Sequence, residues 1–405
     1  MNKKDIKLFI SLVFWMLIPS IYTLIRMNII NINNIDINIL GQMEWFDLID
    51  EIFITTLTVP LYSLLKKDKT SKEKNGLAFI LSFGIYLIFA VIIASYISQI
   101  SKFMNAEYAY LFLKLQTFSL LIAFISTFSI MLLTLNDDFK IVAFLTISKL
   151  IILIIFDFLL INHFSELGAS YSEIITNSII AIISLIIIIK RKYIAFGKTN
   201  YLWLKDYLKI GLFVSIQIFL DNFIYAIMIC KMVNSVSESG NYWVANNFIW
   251  GWLLIPVTCI MEIIKKNNLK KLDFKSILKY GLFISIFWIL TIPIWRLFID
   301  IPMASNSNII LPILYPLVPF YLSYIISGFI DAWFISKGKT VYNTINSFLV
   351  NIVYYGIAYI LFKKGFFELN IMFIILLFGF GMVTHMLISI ILYIVEQKRM
   401  IKSKE

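Results

Sequence analysis

The residues of this chain that can do chemistry are ionisable groups set inside long apolar runs. Asp157 lies late in a run at 141–161. Asp221 sits near the middle of a run at 207–232, beside Asn222 and one helical turn after Gln217. Asp331 lies toward one end of a run at 309–336. Glu44, Asp47, Asp50 and Glu51 crowd the start of a run at 41–65. An ionised side chain at the bilayer centre costs at least about 2.5–3.5 kcal/mol, so such groups ordinarily face a cavity and work there. The chemistry open to them is cation handling. Burial penalises the charged form of a carboxyl group, so proton uptake can couple to conformation. Na⁺ would instead share the carboxylate with hydroxyl, amide and carbonyl oxygens.

Each residue also has a plainer reading. Asp331 is six residues from Lys337 and can be interfacial. Asp157 can simply hydrogen-bond to its neighbours. Positions 47, 50 and 51 are spaced i, i+3 and i+4 and share a helix face. That stripe attracts cations if it lines a lumen. Alternatively it is a wet first turn whose acids suit the helix dipole. Trp250 and Trp252 could line a cavity for a cationic aromatic molecule. For Trp45 and Trp243, a place in the interfacial belt is the expectation. Glu262 precedes Lys265 and Lys266 and reads as a solvated helix end. Lys149 is too deep to snorkel easily and suggests pairing with a nearby acid.

Other chemistries find no support. His163 falls in a turn and His385 stands alone in an apolar run, so no metal-ligand spacing occurs. There is no phosphate-binding glycine loop, no nucleophile elbow and no Cys/His cluster. The reading is therefore a non-enzyme with no catalytic residue, no metal and no cofactor beyond Na⁺ or H⁺ as a coupling ion. Cys230 and Cys259 both fall in apolar runs and read as small core residues.

The elements that must hold these groups are membrane helices. The chain is 60% hydrophobic with a mean hydropathy of +0.88, and its 15% charged residues gather in short islands. Soluble domains are about 45–50% apolar. Runs of about 20 residues or more cross a hydrocarbon core of roughly 30 Å. Barrel strands are short and alternate polar with apolar, so a β-barrel is excluded. The first run continues to about residue 30 without a small-residue cleavage site and reads as a first span, not a signal peptide.

Twelve spans are expected, at about 6–27, 41–65, 77–97, 109–135, 141–161, 169–189, 207–232, 240–264, 277–299, 309–336, 342–362 and 371–395. With both termini cytoplasmic, 26 basic residues fall on the cytoplasmic side and 7 on the other. That asymmetry is the topology signal of an inner-membrane protein. It also accounts for the net charge of +11 without a nucleic-acid partner. The excess of Ile, Asn and Lys suggests an AT-rich bacterial genome.

A repeat of about 200 residues runs through the chain. Gly41 and Lys66-Lys67 bracket one span as Gly240 and Lys265-Lys266 bracket another. Asn136–Lys140 and Lys337–Val341 join corresponding spans. Each half holds an even number of spans, so the halves share one orientation about an axis along the membrane normal. The expected organisation is an N-lobe at 1–192 with six spans, a cytoplasmic connector at 193–205, and a C-lobe at 206–405 with six more.

Three stretches carry a family resemblance. One runs from Lys149 through Asp157 to Asn162 and on to Leu167-Gly168-Ala169-Ser170. The second holds Gly328, Asp331 and Lys337-Gly338-Lys339-Thr340, with Asn343 and Asn346 after it. The third is Ser237 to Asn246. Together with the span count, they resemble the multidrug and toxic compound extrusion (MATE) transporters of the multidrug/oligosaccharidyl-lipid/polysaccharide (MOP) exporter superfamily. The resemblance implies a MATE-like, all-α integral membrane fold of twelve helices in two pseudo-symmetric lobes. It implies a C-lobe cation site where acids of helices seven and ten approach each other, which Asp221 and Asp331 would form, and an N-lobe acid, which Asp157 would supply. The cavity and substrate candidates are Glu44, Asp47, Asp50, Glu51, Gln217, Asn222 and Trp250. The chain departs from the family in lacking an acid between Asp5 and Asp36, and in its unusually acidic second span.

The expected function is secondary antiport, exporting a hydrophobic cationic compound in exchange for Na⁺ or H⁺ by alternating access. The alternatives are a flippase for a lipid-linked saccharide precursor and an integral-membrane transferase. A flippase would want a basic cavity to hold pyrophosphate, whereas the buried charges here are mainly acidic. The expected partners are the lipid bilayer and a small-molecule substrate, with the protein a monomer in the bacterial cytoplasmic membrane.

Overall fold

The computed structural model describes residues 3–65, 71–197, 201–267 and 274–402. Of the basic islands, Lys66, Lys67, Lys69, Lys198, Lys270, Lys271 and Lys404 lie outside the described residues. Among the described residues the regular structure is all helical. The elements are α1 (Lys3–Ile32), α2 (Ile37–Gly41), α3 (Met43–Leu65), α4 (Lys72–Phe103), α5 (Tyr110–Leu135), α6 (Phe139–Phe164), α7 (Glu166–Lys190), α8 (Trp203–Tyr225), α9 (Lys231–Ser235), α10 (Ser239–Phe248), α11 (Ile255–Asn267), α12 (Phe274–Asp300), α13 (Ser307–Ser336), α14 (Val341–Phe348), α15 (Tyr355–Lys363) and α16 (Ile371–Lys402). Wide π turns at Ala226–Cys230, Ile249–Leu253 and Leu349–Tyr354 link α8 to α9, α10 toward α11, and α14 to α15.

Among the described residues, ten helical segments are long and apolar enough to cross a membrane. Ser239–Leu253 and Ile255–Lys265 make an eleventh, bent by 53°. Where one continuous span at 240–264 was expected, the helix breaks. Gly251 and Pro256 flank the bend, and proline has no N–H to continue the ladder. The second expected span falls on α3, whose 23 residues rise about 34 Å. Its acids, not its length, set it apart from the others. The chain is thus an all-helical, multi-pass membrane protein.

The chain divides into two compact units, Ile29–Ala226 and Met1–Asn28 with Ile227–Glu405. These boundaries differ from the expected lobes at 1–192 and 206–405. The seventh span, α8, packs along α3 and belongs to the first unit. The first span belongs to the second, where Asn28 Nδ2 donates to the Pro302 carbonyl at 2.7 Å and Met16 Sδ lies 3.6 Å from Cys259 Sγ.

Within Ile29–Ala226, α5 packs against α4, α6 and α7. Its inward face mixes large apolar with small polar residues: it buries Phe112, Leu113, Phe124, Phe128 and Leu132 alongside Gln116, Thr117, Ser119, Ser126 and Ser129, while α7 buries Gly168, Ala169, Ser170, Ser172, Thr176 and Asn177. Large aliphatics such as Ile151, Ile155, Ile182 and Ile186 face outward. Lipid is as apolar as leucine, so helices in it associate through close packing, small residues and interhelical hydrogen bonds. Asn177 Nδ2 donates to Ser119 Oγ at 2.9 Å in this way. At Gly168 a β-carbon would sit 2.3 Å from the Leu160 carbonyl oxygen, so the α6–α7 turn demands glycine. The first residues of the central connector are tied down as well. Ala195 N donates to the Lys72 carbonyl at 3.0 Å, and Asn75 Nδ2 to the Tyr193 carbonyl at 2.8 Å.

In the other unit α13 is central, packed by α10, α11, α12 and α16. Gly338, with φ of +69°, ends α13 in a left-handed turn. The turn places Lys339 on Glu396 of α16, a fully buried carboxylate that Tyr342 also reaches at 2.7 Å.

Candidate cation and substrate sites

In Ile29–Ala226 the acids of α3 divide between two neighbours. Asp50 is half-buried and accepts the Tyr86 hydroxyl of α4. Glu51 is exposed and accepts Asn222 Nδ2 of α8 at 3.0 Å; the same amide donates to the Leu48 carbonyl at 3.0 Å. Tyr225 Oη, one turn along α8, reaches Glu44 Oε1 at 3.5 Å. Asp47 is exposed and lies in the field of Tyr86. The expected single stripe of 47, 50 and 51 is therefore split. Adjacent residues sit about 100° apart around a helix, so Asp50 turns to α4 while Glu51 turns to α8. Asp221 is exposed on α8, and Gln217, one turn before it, is half-buried. Expected as a cavity residue of the seventh span, Asn222 proves to be the side chain that joins α8 to the acids of α3.

Asp157 is sealed. It is fully buried and accepts the Ser172 hydroxyl across the α6–α7 pair. Lys149 on α6 lies within electrostatic reach of Glu173 on α7.

In the other unit, Asp331 joins a cluster that the sequence did not assemble. Ser389 Oγ of α16 donates to its Oδ1 at 3.1 Å, and His385 Nε2 lies 3.4 Å from its Oδ2. Asn346 Nδ2 of α14 bonds Ser389 Oγ at 2.7 Å and the His385 carbonyl at 3.1 Å. Asn343 Nδ2 reaches the Asp331 carbonyl at 3.4 Å. His385, solitary in the sequence, faces the carboxylate. The available signal was the run of Asn343, Asn346 and Asn351 in an otherwise apolar span. Asp221 and Asp331, expected to approach each other, fall in different units.

Trp250 is exposed on the π turn and meets Tyr321 and Tyr324 edge-on at 6.2 and 5.3 Å. It borders a cavity of about 250 Å³ with Pro19, Ser20, Thr23 and Met27 of α1. The belt reading fails for Trp45. It is 1% exposed and donates to Gln42 Oε1 at 2.7 Å, because the short α2 folds over the start of α3 and supplies an internal acceptor. Trp243 is half-buried. Glu262 pairs with Lys265 at 2.7 Å on a partly exposed helix end, and both cysteines are buried, as expected. Among the described residues no group of three or more His, Cys, Asp or Glu is placed to hold a metal ion.

An all-helical, multi-pass chain with broken spans and deep carboxylates defines a class, and comparison with solved structures gives the fold. The chain superposes on a multidrug resistance MATE family transporter of the MOP superfamily with a TM-score of 0.73 at 15% identity, covering 95% of each chain. The MATE multidrug transporter DinF-BH gives 0.69 at 15% identity, over 95% of this chain and 94% of that one. A MOP superfamily transporter from Pyrococcus furiosus, described as having a binding pocket of reverse polarity that suggests a different function, gives 0.66 at 15% identity over 99% and 96%. No protein-family model matches the sequence, and no curated protein matches it. The chain has the fold of the MATE transporters.

Proposed function

We propose that the protein is a secondary exporter that moves a hydrophobic cationic compound out of the cytoplasm in exchange for Na⁺ or H⁺. The observation that carries this reading is the convergence of α3 and α8. Exposed Asp47 and Glu51, half-buried Asp50 and Glu44, and exposed Asp221 crowd two packed helices, and Glu44, Asp50 and Glu51 accept from the neutral Tyr225, Tyr86 and Asn222. The phenol on Asp50 and the amide on Glu51 are neutral donors that fix these carboxylates without cancelling their charge, which suits them to attract a cation. The aromatic corner of Trp250, Tyr321 and Tyr324 suits a flat cationic molecule. The repeat halves, 1–192 and 206–405 joined by 193–205, would alternate access to the substrate. The charge asymmetry favours cytoplasmic termini in a bacterial inner membrane. On this reading the protein works as a monomer and carries out no covalent chemistry.

The test is efflux of a fluorescent organic cation from proteoliposomes under an imposed pH or Na⁺ gradient. Gradient-driven efflux is expected in wild type, with a loss of about tenfold or more in Glu51→Gln and in Asp221→Asn, the equivalent of roughly 1.4 kcal/mol. Full activity in both variants would remove the α3–α8 acids from the mechanism. No efflux of any cation by wild type would favour the lipid-linked saccharide flippase.

A further inference from the structure

His385 lies fourteen residues inside α16, about 21 Å of helical rise from its start. A histidine at that depth has two plain uses, a hydrogen bond to a backbone carbonyl or a metal. The described residues offer no metal cluster, and the ring nitrogen Nε2 faces a carboxylate instead. We propose that Asp331 and His385 form one proton-binding site, in which the proton on His385 switches the pair between neutral and net negative.

The argument is geometric. With Asp331 ionised, a ring whose Nε2 faces its Oδ2 at 3.4 Å carries a hydrogen on that nitrogen. A second proton, on Nδ1, makes the ring an imidazolium and the pair neutral. Its loss leaves one negative charge, which the dipoles of Ser389 and Asn346 orient without neutralising. The same cluster holds the buried amide oxygens of Asn343 and Asn346, neither with a hydrogen-bond partner. Protein does not fully cover the pair: the side chains of His385 and Asp331 are 29% and 19% exposed.

Other titratable groups reach toward the pair from the elements packed around it. On α13, Tyr324 lies in the field of Asp331. Glu396 of α16 is held by Lys339 and Tyr342, and Glu262 of α11 by Lys265. The π turn and α15 bring Tyr354 and Tyr355, α10 brings Tyr242, and α9 brings Lys231. On α12, Lys275 and Lys279 are exposed. Of these side chain types, only histidine titrates near neutral pH when unperturbed. On the exporter reading, on which only the identity of the competing ion rests, an organic cation and this proton would compete for Asp331.

The chain has two histidines, His163 and His385, so the site can be read directly. Full-length protein carrying ring-labelled ¹³C-histidine is titrated by NMR, with His163→Gln used for assignment. In Asp331→Asn the midpoint of His385 is expected to shift by at least about half a pH unit, while that of His163 stays. Ser389→Ala strips one hydrogen bond from the same carboxylate and should give a smaller shift of the His385 midpoint, which keeps the test valid if Asp331→Asn misfolds. An unmoved His385 midpoint in a folded variant overturns the site. Equilibrium binding of tetraphenylphosphonium is the second arm. Wild-type affinity should rise by up to about tenfold per pH unit on the acid side of the His385 midpoint, and His385→Gln should be flat. A profile unchanged in His385→Gln overturns the proposal. A shifted His385 midpoint with no tetraphenylphosphonium binding upholds the proton site and counts against the exporter reading alone.

Discussion

In the unit Ile29–Ala226 the carboxylates of α3 come as a crowd that accepts hydrogen bonds from phenols and an amide, whereas in the other unit one carboxylate faces a histidine. Glu44, Asp50 and Glu51 receive a phenol, a second phenol and an amide. Asp331 receives a serine hydroxyl and faces an imidazole. The difference lies in how charge is balanced at depth. A neutral donor fixes the direction of a carboxylate and leaves its charge for an incoming cation. A histidine carries its own counter-charge and surrenders it with pH. Two further carboxylates set the limits of the scale. Glu396 has a permanent cation in Lys339, and Asp157 has a serine hydroxyl and no exposure.

The largest expected effect comes from removing a permanent counter-ion. Lys339→Met strands Glu396 inside protein, and a broken buried pair typically costs about 3–5 kcal/mol. Thermal unfolding in detergent should show this as a marked loss of stability. A variant as stable as wild type would mean that Tyr342 alone satisfies Glu396, and that the contrast between ionic and neutral partners is overstated.

Ser172→Ala is next. It takes the hydroxyl donor from fully buried Asp157, and a buried acceptor robbed of a donor costs about 1–3 kcal/mol. Stability should fall, while the pH dependence of cation binding should not change shape. A changed pH profile would move Asp157 from a structural role to the coupling site.

The smallest effect is expected for Asn222→Ala. Glu51 loses one donor but is exposed, so water replaces the amide, and stability should change by less than about 1 kcal/mol. Efflux should nevertheless weaken by a few fold, because Glu51 loses its fixed direction. Unchanged efflux would show that the α3–α8 contact only joins two helices.

Much of the fold was legible along the chain because the bilayer imposes a length and a composition on every span. Charge islands marked the helix ends. Asp157, Asp221 and Asp331 stood out as charges in apolar runs, and all three lie in helices. Sequence patterning did not reveal which helix each span would pack against. The first and seventh spans cluster with the units Ile227–Glu405 and Ile29–Ala226 respectively, and apolar helices look too much alike in sequence for such pairings to be read from it. The acids at 44–51 were placed on one face by their spacing, yet packing turned Asp50 to α4 and Glu51 to α8. Trp45 read as an interfacial anchor until α2 supplied Gln42 as its partner.

The sequence by itself determined that this is an all-helical, multi-pass membrane protein with acids inside its spans, since hydropathy and charge position act on each residue separately. Only the tertiary structure decided what those acids meet. Residues 331, 346, 385 and 389 come from three helices. Their contact leaves no periodic trace in the chain, so His385 reads as a lone histidine in sequence and as the partner of Asp331 in the fold.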